Sequence, residues 1–322
     1  MALPALQALL ASRHEVVGVL TRPDAPVGRG RQVKASPVGE VARDAGIPVL
    51  TPVRLSDPGV DEQLRAWAPD ACPVVAYGAL VPQSLLDLPA HGWINLHFSL
   101  LPAWRGAAPV QAAVRAGDPI TGVSIFRIDA GLDTGPVFAQ RRVEIADRET
   151  SGELLTRLAE LGAEVLVDTL DALAAGSATA VAQSADGVSL APRLTVADAR
   201  VDWHSSATTI DRLIRAMTPT PGAWTTVDGP GDPAQRRLLV APLDAQGTGV
   251  LPPGVVEVRD GGVWVGTGTT VVRLGDVRPA GRRLMPAADW LRGLRGSHGS
   301  HGSHGLHGQP DGDSSTHPVR LD

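Results

Sequence analysis

Two polar side chains stand in an otherwise apolar stretch of the chain, residues 93–98. Successive side chains of a β-strand point to opposite faces, so Asn95 and His97 would lie side by side on one face. A buried polar group without a partner costs about 1–3 kcal/mol, which a core strand would not carry twice without a reason. The pair therefore indicates a strand end that opens onto a reaction site. From the spacing alone, the alternative that His97 only satisfies a strand end stays open.

A second polar cluster, residues 129–138, follows another predicted strand. Gly131 and Gly135 permit tight turns there, and Asp133 lies between them. Ligands of an open parallel sheet bind beyond the carboxyl ends of its strands, so the two clusters could meet at one edge. An amide donor, an imidazole and a carboxylate suit acyl transfer, as oxyanion donor, proton carrier and orienting group. The alternative that Asp133 only caps a turn also stays open.

The composition is that of a globular protein with two domains. The chain has 322 residues, which is long for one core, and 43% of them are hydrophobic. A net charge of −5 gives no general attraction to nucleic acid. Cys72 is the single cysteine, which excludes a disulfide within the chain and favours the cytoplasm. Neither a membrane helix nor a metal site is predicted, because no apolar run and no ligand spacing of the required kind occurs.

The first part of the chain, residues 1–175, alternates predicted strands and helices. The predicted strands include 15–20, 93–97 and 122–128, and a long helix spans 151–174. Such alternation favours an α/β domain with a doubly wound, mainly parallel sheet.

The remaining residues divide into three predicted segments. Residues 176–197 are small and polar, as in a linker. A helix near 206–217 and five short strands make 198–295 a small β-barrel or sandwich domain. The Gly-, Ser- and His-rich residues 296–322 are predicted to be a disordered tail, because they cannot build a core.

The motif Asn-x-His, running into Ser-Leu-Leu-Pro and followed later by Gly-Leu-Asp-Thr-Gly, resembles the folate-dependent formyltransferases. The similarity rests on "NLHFSLLPAWRGAAP", "GVSIFRIDAGLDTG", "TRPDAPVGRGR" with "SPV", and "ARVDW", and it extends over about residues 1–290. It implies a Rossmann-like formyltransferase domain and a C-terminal β-barrel of the OB kind. It also implies a formyl donor, 10-formyltetrahydrofolate, and an acceptor, the amino group of initiator methionyl-tRNA, for translation initiation, with no metal.

The resemblance assigns roles to matching residues. Asn95, His97 and Asp133 match the catalytic trio. Asn95, with protonated His97, would donate to the formyl oxygen, and Asp133 would hold His97 and help move the proton from the attacking amine to the leaving folate nitrogen. Which of His97 and Asp133 carries that proton stays open. The residues that match the folate-binding loop are Ser99, Leu100, Leu101 and Pro102.

Basic residues cluster in the Gly- and Pro-rich loop after the first predicted strand. A solvated surface loop is the default interpretation, but the resemblance favours contacts with tRNA phosphates. Separately, Arg105, close to the catalytic strand, could contact substrate or pair with an acid. The predicted tRNA-binding residues are Arg22, Arg29, Arg31 and Lys34.

Two other functions stay open. One is a folate-dependent formyltransferase or hydrolase with a different acceptor, and the other is a catalytically idle RNA-binding protein. The second gains weight because the family opens with a short apolar strand and a Gly-containing turn, whereas this chain starts inside the first predicted helix. We therefore expect translation to start upstream of Met1. A monomer in the cytoplasm, not bound to membrane, is the expected form.

Overall fold

The structure is a computed structural model that describes residues 1–27, 32–229, 232–298 and 319–322. It divides into two compact units. The first comprises residues 1–113, 118–147 and 153–193, and the second comprises 114–117, 148–152 and the described part of 194–322. The predicted linker at 176–197 is therefore wrong for most of its length, because residues up to 193 belong to the first unit. Among the helices of the described ranges, none has the length and apolarity of a bilayer-spanning segment.

The first part of the chain is an α/β structure, as predicted. Its helices are α1 Ala2–Ala11, α2 Pro37–Asp44, α3 Val60–Trp67, α4 Gln83–Leu86, α5 Pro109–Ala116 and α6 Ser151–Ala174. Its strands are β1 Val19–Leu20, β2 Ala25–Val27, β3 Gln32–Lys34, β4 Val49–Leu50, β5 Cys72–Val75, β6 Trp93–His97, β7 Arg105–Gly106, β8 Ile120–Arg127, β9 Val137–Glu144 and β10 Leu190–Ala191.

Parallel and antiparallel pairs both occur in the first unit. Strand β5 runs parallel to β6, and β8 and β9 extend the same sheet by antiparallel pairs, in the order β5-β6-β8-β9. Strands β1 and β4 form a separate parallel pair. The strand predicted at 15–20 is shorter than expected, because only Val19 and Leu20 pair with β4.

Helix α6 covers one face of β6. Its buried residues, which include Leu154, Leu158 and Leu166, recur at helical spacing and give it one apolar side. Gly162 lies where helix and strand come closest, since a Cβ added there would lie 2.6 Å from Cδ1 of Leu96. Leu96 therefore faces α6, and the alternation along β6 turns Asn95 and His97 to the opposite face.

The second unit is rich in antiparallel strands, as predicted. Its strands form two four-stranded sheets, β11-β12-β17-β18 and β13-β16-β15-β14. The elements are α7 Ala207–Met217, β11 Trp224–Thr226, β12 Arg237–Val240, β13 Ala245–Gly247, β14 Val256–Arg259, β15 Gly262–Gly266, β16 Val271–Leu274, β17 Asp276–Pro279, β18 Met285–Pro286 and α8 Ala287–His298. Ser206 caps the N-terminus of α7, because its hydroxyl accepts from the Thr209 N–H, and the helix side chains Ile210, Ile214 and Met217 enter the core.

The last four residues are part of that core. Leu321 is 3% exposed and pairs with Val227, while Arg320 pairs with Val255. Helix α8 moreover extends to His298. The prediction that 296–322 is a disordered tail is therefore wrong at both ends, because an apolar side chain and free strand edges provide a docking place. Residues 299–318 lie outside the described residues.

Candidate active site

The candidate site includes the polar end of β6, which carries Asn95 and His97. His97 is buried, with 5% of its surface exposed, and Asn95 is half-buried on the same face. Within the described residues, the side-chain amide of Asn95 makes no hydrogen bond to another residue. This amide therefore has both N–H groups available to a ligand.

The ring of His97 is fixed on one side. Its Nε2 lies 2.9 Å from the carbonyl oxygen of Trp104. Since a carbonyl can only accept, Nε2 carries a hydrogen and donates it. The other ring nitrogen, Nδ1, lies 3.8 Å from Oδ2 of Asp133. Burial lowers the pKa of His97 below its ordinary value, while Asp133 and the Trp104 carbonyl act in the opposite direction.

A tight turn places the carboxylate of Asp133. The turn begins with Asp129, whose Oδ1 accepts from the Gly131 N–H at 3.0 Å and from the Thr134 hydroxyl at 2.6 Å. It ends at Gly135, where an added Cβ would lie 1.7 Å from the Arg127 carbonyl oxygen. Glycine is therefore required at this position, because no side chain fits between the turn and the backbone of β8.

Asp133 itself has a left-handed backbone, with φ of +50°. Its Oδ2 accepts from the backbone N–H of Gly106 at 2.7 Å, and its side chain is 17% exposed. The carboxylate is thus held by the loop after β6 as well as by its own turn. The structure places Asn95, His97 and Asp133 on one side of the sheet, with His97 between the carboxylate and the Trp104 carbonyl.

Gln183 joins the two loops of the site, and the sequence did not indicate it. Its Oε1 accepts from Nε and Nη2 of Arg105 at 3.1 and 2.7 Å. Its Nε2 donates to the backbone carbonyls of Asp133 and Gly135, both at 2.8 Å. Gln183 lies in the predicted linker, whose small polar residues have no periodicity to suggest a role. Within the described residues, Arg105 thus binds an amide and not the acid that was the second alternative; a contact with substrate stays a prediction.

The comparisons with known proteins identify the family. Residues 3–170 match the formyl transferase family, and residues 193–295 match the formyl transferase C-terminal domain. The chain belongs to the formyl transferase family.

Similar proteins of this family cover nearly the whole chain. A methionyl-tRNA formyltransferase of Nocardioides sp. is 56% identical over 296 residues, which are 91% of this chain and 92% of the relative. One of Rhodococcus erythropolis is 55% identical over 293 residues, with 91% and 93% covered. Among solved structures, HypX from Aquifex aeolicus in complex with tetrahydrofolic acid is 19% identical and has a TM-score of 0.57. The match covers 77% of this chain and 43% of the HypX chain. That likeness shows the shared fold alone.

Hydrogen bonds within the loop after β6, and from Ser124 of β8, hold the shape of that loop. The Ser99 hydroxyl donates to the Ala103 carbonyl at 2.6 Å, and Ser99 is fully buried. Ser124 on β8 donates to the Ser99 carbonyl at 2.6 Å and accepts from the Leu101 N–H at 3.0 Å. Leu101 is buried as well. Leu100 and Pro102 are half-buried, so their side chains remain partly accessible.

The predicted tRNA-binding loop is described only in part. Arg22 and Lys34 are exposed, as a contact with tRNA requires. Arg29 and Arg31 lie outside the described residues. The role of this loop stays a prediction. Within the described ranges, no group of three or more potential metal ligands comes together.

Proposed function

We propose that the protein transfers the formyl group of 10-formyltetrahydrofolate to the amino group of initiator methionyl-tRNA. The observation that carries this proposal is His97, which lies between Asp133 and the Trp104 carbonyl, on the same face of β6 as Asn95, whose amide has no partner among the described residues. Membership of the formyl transferase family supports the formyl chemistry, and relatives more than 50% identical, which are named methionyl-tRNA formyltransferases, support the acceptor. No described residue favours a different amine.

Asn95 stabilises the developing negative charge. As the acceptor amine bonds to the formyl carbon, the formyl oxygen becomes an oxyanion, and the half-buried amide of Asn95 supplies a donor there. One preorganised donor of this kind is worth about 10²–10³ in rate. Because the amide is committed to no other residue of the described chain, it needs no rearrangement before it donates.

His97 carries the proton in this proposal. Its lowered pKa keeps the ring neutral near pH 7, and the bond from Nε2 to the Trp104 carbonyl leaves Nδ1 with a free lone pair. Nδ1 takes the proton that the amine loses and returns it to the folate nitrogen as the bond from that nitrogen to the formyl carbon breaks. Asp133, 3.8 Å away, stabilises the imidazolium formed in between. Proton transfer of this kind contributes about 10²–10⁴.

The donor would pack on the loop of Ser99, Leu100, Leu101 and Pro102. The fit is supported by the chemistry of the loop, because the Ser99 hydroxyl and the Leu101 N–H are already bonded to protein groups and the half-buried Leu100 and Pro102 remain for contact. We place the protein in the cytoplasm as a monomer, with initiator methionyl-tRNA and the folate as its partners. The exposed Arg22 and Lys34 would contact tRNA phosphates.

The test is single-turnover formylation with 10-formyltetrahydrofolate and a panel of acceptors: methionyl-tRNA, a nucleotide-linked amino sugar, and water. We expect methionyl-tRNA to be formylated far faster than the others. Asn95→Ala and His97→Ala should each lower the rate at least ~10²-fold, whereas His204→Ala, an exposed histidine of the second unit, should not. Faster formylation of another acceptor, or near-normal turnover by a folded His97→Ala protein, would contradict the proposal.

A further inference from the structure

The role proposed for His97 depends on one backbone group, the carbonyl of Trp104, which accepts the hydrogen of Nε2 at 2.9 Å. Trp104 has a left-handed backbone, with φ of +60°. A residue with a bulky side chain seldom takes this conformation, because its Cβ comes too close to backbone atoms. The conformation must therefore be held by the contacts that Trp104 makes with its surroundings.

Two side chains from other parts of the first unit hold Trp104. Its indole Nε1–H donates to Oδ2 of Asp118, which follows α5, at 2.8 Å. Its backbone N–H donates to Oγ of Ser189, which precedes β10, at 2.9 Å. All three hydrogen-bonding groups of Trp104 are therefore engaged, the third of them by His97. The position of the carbonyl thus depends on residues that lie well outside the loop after β6.

Two acceptors compete for the single hydrogen of the neutral His97 ring. The Trp104 carbonyl favours the tautomer with the hydrogen on Nε2, whereas the carboxylate of Asp133, 3.8 Å from Nδ1, favours the tautomer with the hydrogen on Nδ1. Only the Nε2–H tautomer leaves Nδ1 able to take a proton from the acceptor amine. The carbonyl lies at hydrogen-bond distance and the carboxylate does not, so the useful tautomer is favoured while the carbonyl stays in place.

Packing keeps the His97 ring from turning to a different acceptor. The residue is buried, and Phe126 of β8 meets its ring edge-on, with the ring centroids 6.4 Å apart. Among the described residues, the Trp104 carbonyl is the one acceptor within hydrogen-bond distance of the ring. A shift of this carbonyl would therefore leave the ring hydrogen with the Asp133 carboxylate as its alternative, on the nitrogen that has to accept the proton.

We propose that Asp118 is a positioning residue for formyl transfer: by binding the indole of Trp104, it fixes the carbonyl that keeps the hydrogen of His97 on Nε2. This inference rests on the proposed function of His97 as the proton carrier. Asp118 acts through its hydrogen bond and not through its charge. The pKa of His97 responds instead to burial, which lowers it, and to Asp133 and the Trp104 carbonyl, which raise it.

The nature of this bond predicts which substitutions of Asp118 are tolerated. Asn keeps an oxygen that accepts from the indole N–H, so Asp118→Asn should retain nearly the activity of the wild type. Leu is of similar size but has no acceptor, so Asp118→Leu should lower kcat about tenfold, the equivalent of one hydrogen bond. KM for the folate and for methionyl-tRNA should stay unchanged, because the loss falls on proton transfer and not on binding.

The first readout is the tautomer of His97, which is measured without any catalytic step. In full-length protein with isotope-labelled histidine, the NMR chemical shifts of the two ring nitrogens show which of them carries the hydrogen, and His97→Gln identifies the signals of this ring. We expect Nε2–H in the wild type and in Asp118→Asn, and a larger share of Nδ1–H in Asp118→Leu. The pKa of His97 should also fall in Asp118→Leu, because the bond to the Trp104 carbonyl raises it.

A double-mutant cycle isolates the bond between Asp118 and Trp104. Trp104→Phe removes the indole N–H but keeps an aromatic ring, so it should shift the tautomer as Asp118→Leu does, and it tests the same bond if Asp118→Leu does not fold. In the Trp104→Phe protein, Asp118→Leu should cause no further loss of kcat. Asp87→Leu, at an exposed aspartate of the same unit, is the control and should change neither kcat nor the tautomer.

Two results would overturn the proposal. One is an unchanged tautomer of His97 in both Asp118→Leu and Trp104→Phe, and the other is an equal loss of kcat on Asp118→Leu with and without Trp104→Phe. Failure of the proposed function is a different outcome, since the wild type would then not formylate methionyl-tRNA, whatever the tautomer of His97.

Discussion

Replacing Asp133 by Asn should lower the pKa of His97. Asn keeps the size of the side chain, can still accept from the Gly106 N–H, and tolerates the left-handed backbone at this position, so the change removes charge and little else. The carboxylate now raises the pKa of His97 against the opposing effect of burial. Without it, burial acts almost alone, and the neutral ring is favoured further.

The distance sets the size of this effect. Opposite unit charges separated by the observed 3.8 Å attract by about 4 kcal/mol at an effective dielectric constant of 20. Each factor of ten in a proton equilibrium corresponds to about 1.36 kcal/mol. The pKa of His97 should therefore fall in the Asp133→Asn protein, and formyl transfer should fall by about 10²-fold or more, because the imidazolium formed during transfer loses its counter-charge.

The assay is an NMR titration of the imidazole C–H signals, which reports the pKa without any catalytic step. Asp129→Asn is the matched control, since Asp129 lies in the same turn but does not shift the pKa of His97. The lowered pKa also makes stability depend on pH. As the pH falls from about 6.5 toward the pKa of His97 in the folded protein, the unfolded state binds a proton more readily, so the free energy of unfolding decreases. His97→Gln should flatten that dependence. An unchanged or raised pKa in Asp133→Asn would refute the reasoning.

Three further predictions test other parts of the chain. Gln183→Met should lower kcat about tenfold or more and move the His97 titration, because each lost hydrogen bond to the loops is worth about 1 kcal/mol; if both stay unchanged, Gln183 has no positioning role. Neutralising Arg29, Arg31 and Lys34 together should weaken tRNA binding and flatten its dependence on salt, with folate binding unaffected; an unchanged slope would assign them to a solvated loop. Leu321→Ala should lower the free energy of unfolding by about 2–4 kcal/mol, measured by urea denaturation, and a loss below about 0.5 kcal/mol would contradict docking of the C-terminus.

The sequence predicted those parts of the fold that local pattern determines. The helix expected at 151–174 and the strand at 93–97 are present with the same bounds, because apolar spacing alone decides them. Asn95 and His97 are predicted site residues because they interrupt an apolar strand, and Asp133 because it lies in a polar, Gly-containing turn after another strand. Their roles remain proposals, although the structure brings His97 and Asp133 together.

Long-range contacts could not be predicted in the same way. Gln183 forms hydrogen bonds with Arg105 and with a turn about 50 residues earlier in the chain. The residues next to it in sequence have neither a helical nor a strand period of apolar side chains. Leu321 is a single apolar residue after a low-complexity stretch, and its burial depends on strand edges near Val227 and Val255. Composition correctly describes such segments as poor in core residues but does not reveal one residue that docks.

The position of Gln183 has a consequence for how this protein could exchange parts with its relatives. A gene fusion joined after residue 175, where the last long helix of the first part ends, would retain every residue of the Asn-x-His and Gly-Leu-Asp-Thr-Gly motifs. It would nevertheless replace Gln183, whose side-chain amide links Arg105 to the turn of Asp133 by hydrogen bonds. A junction after residue 193 keeps Gln183 and its hydrogen bonds in the first unit. Recombination among formyltransferases should therefore be tolerated at the later point and selected against at the earlier one.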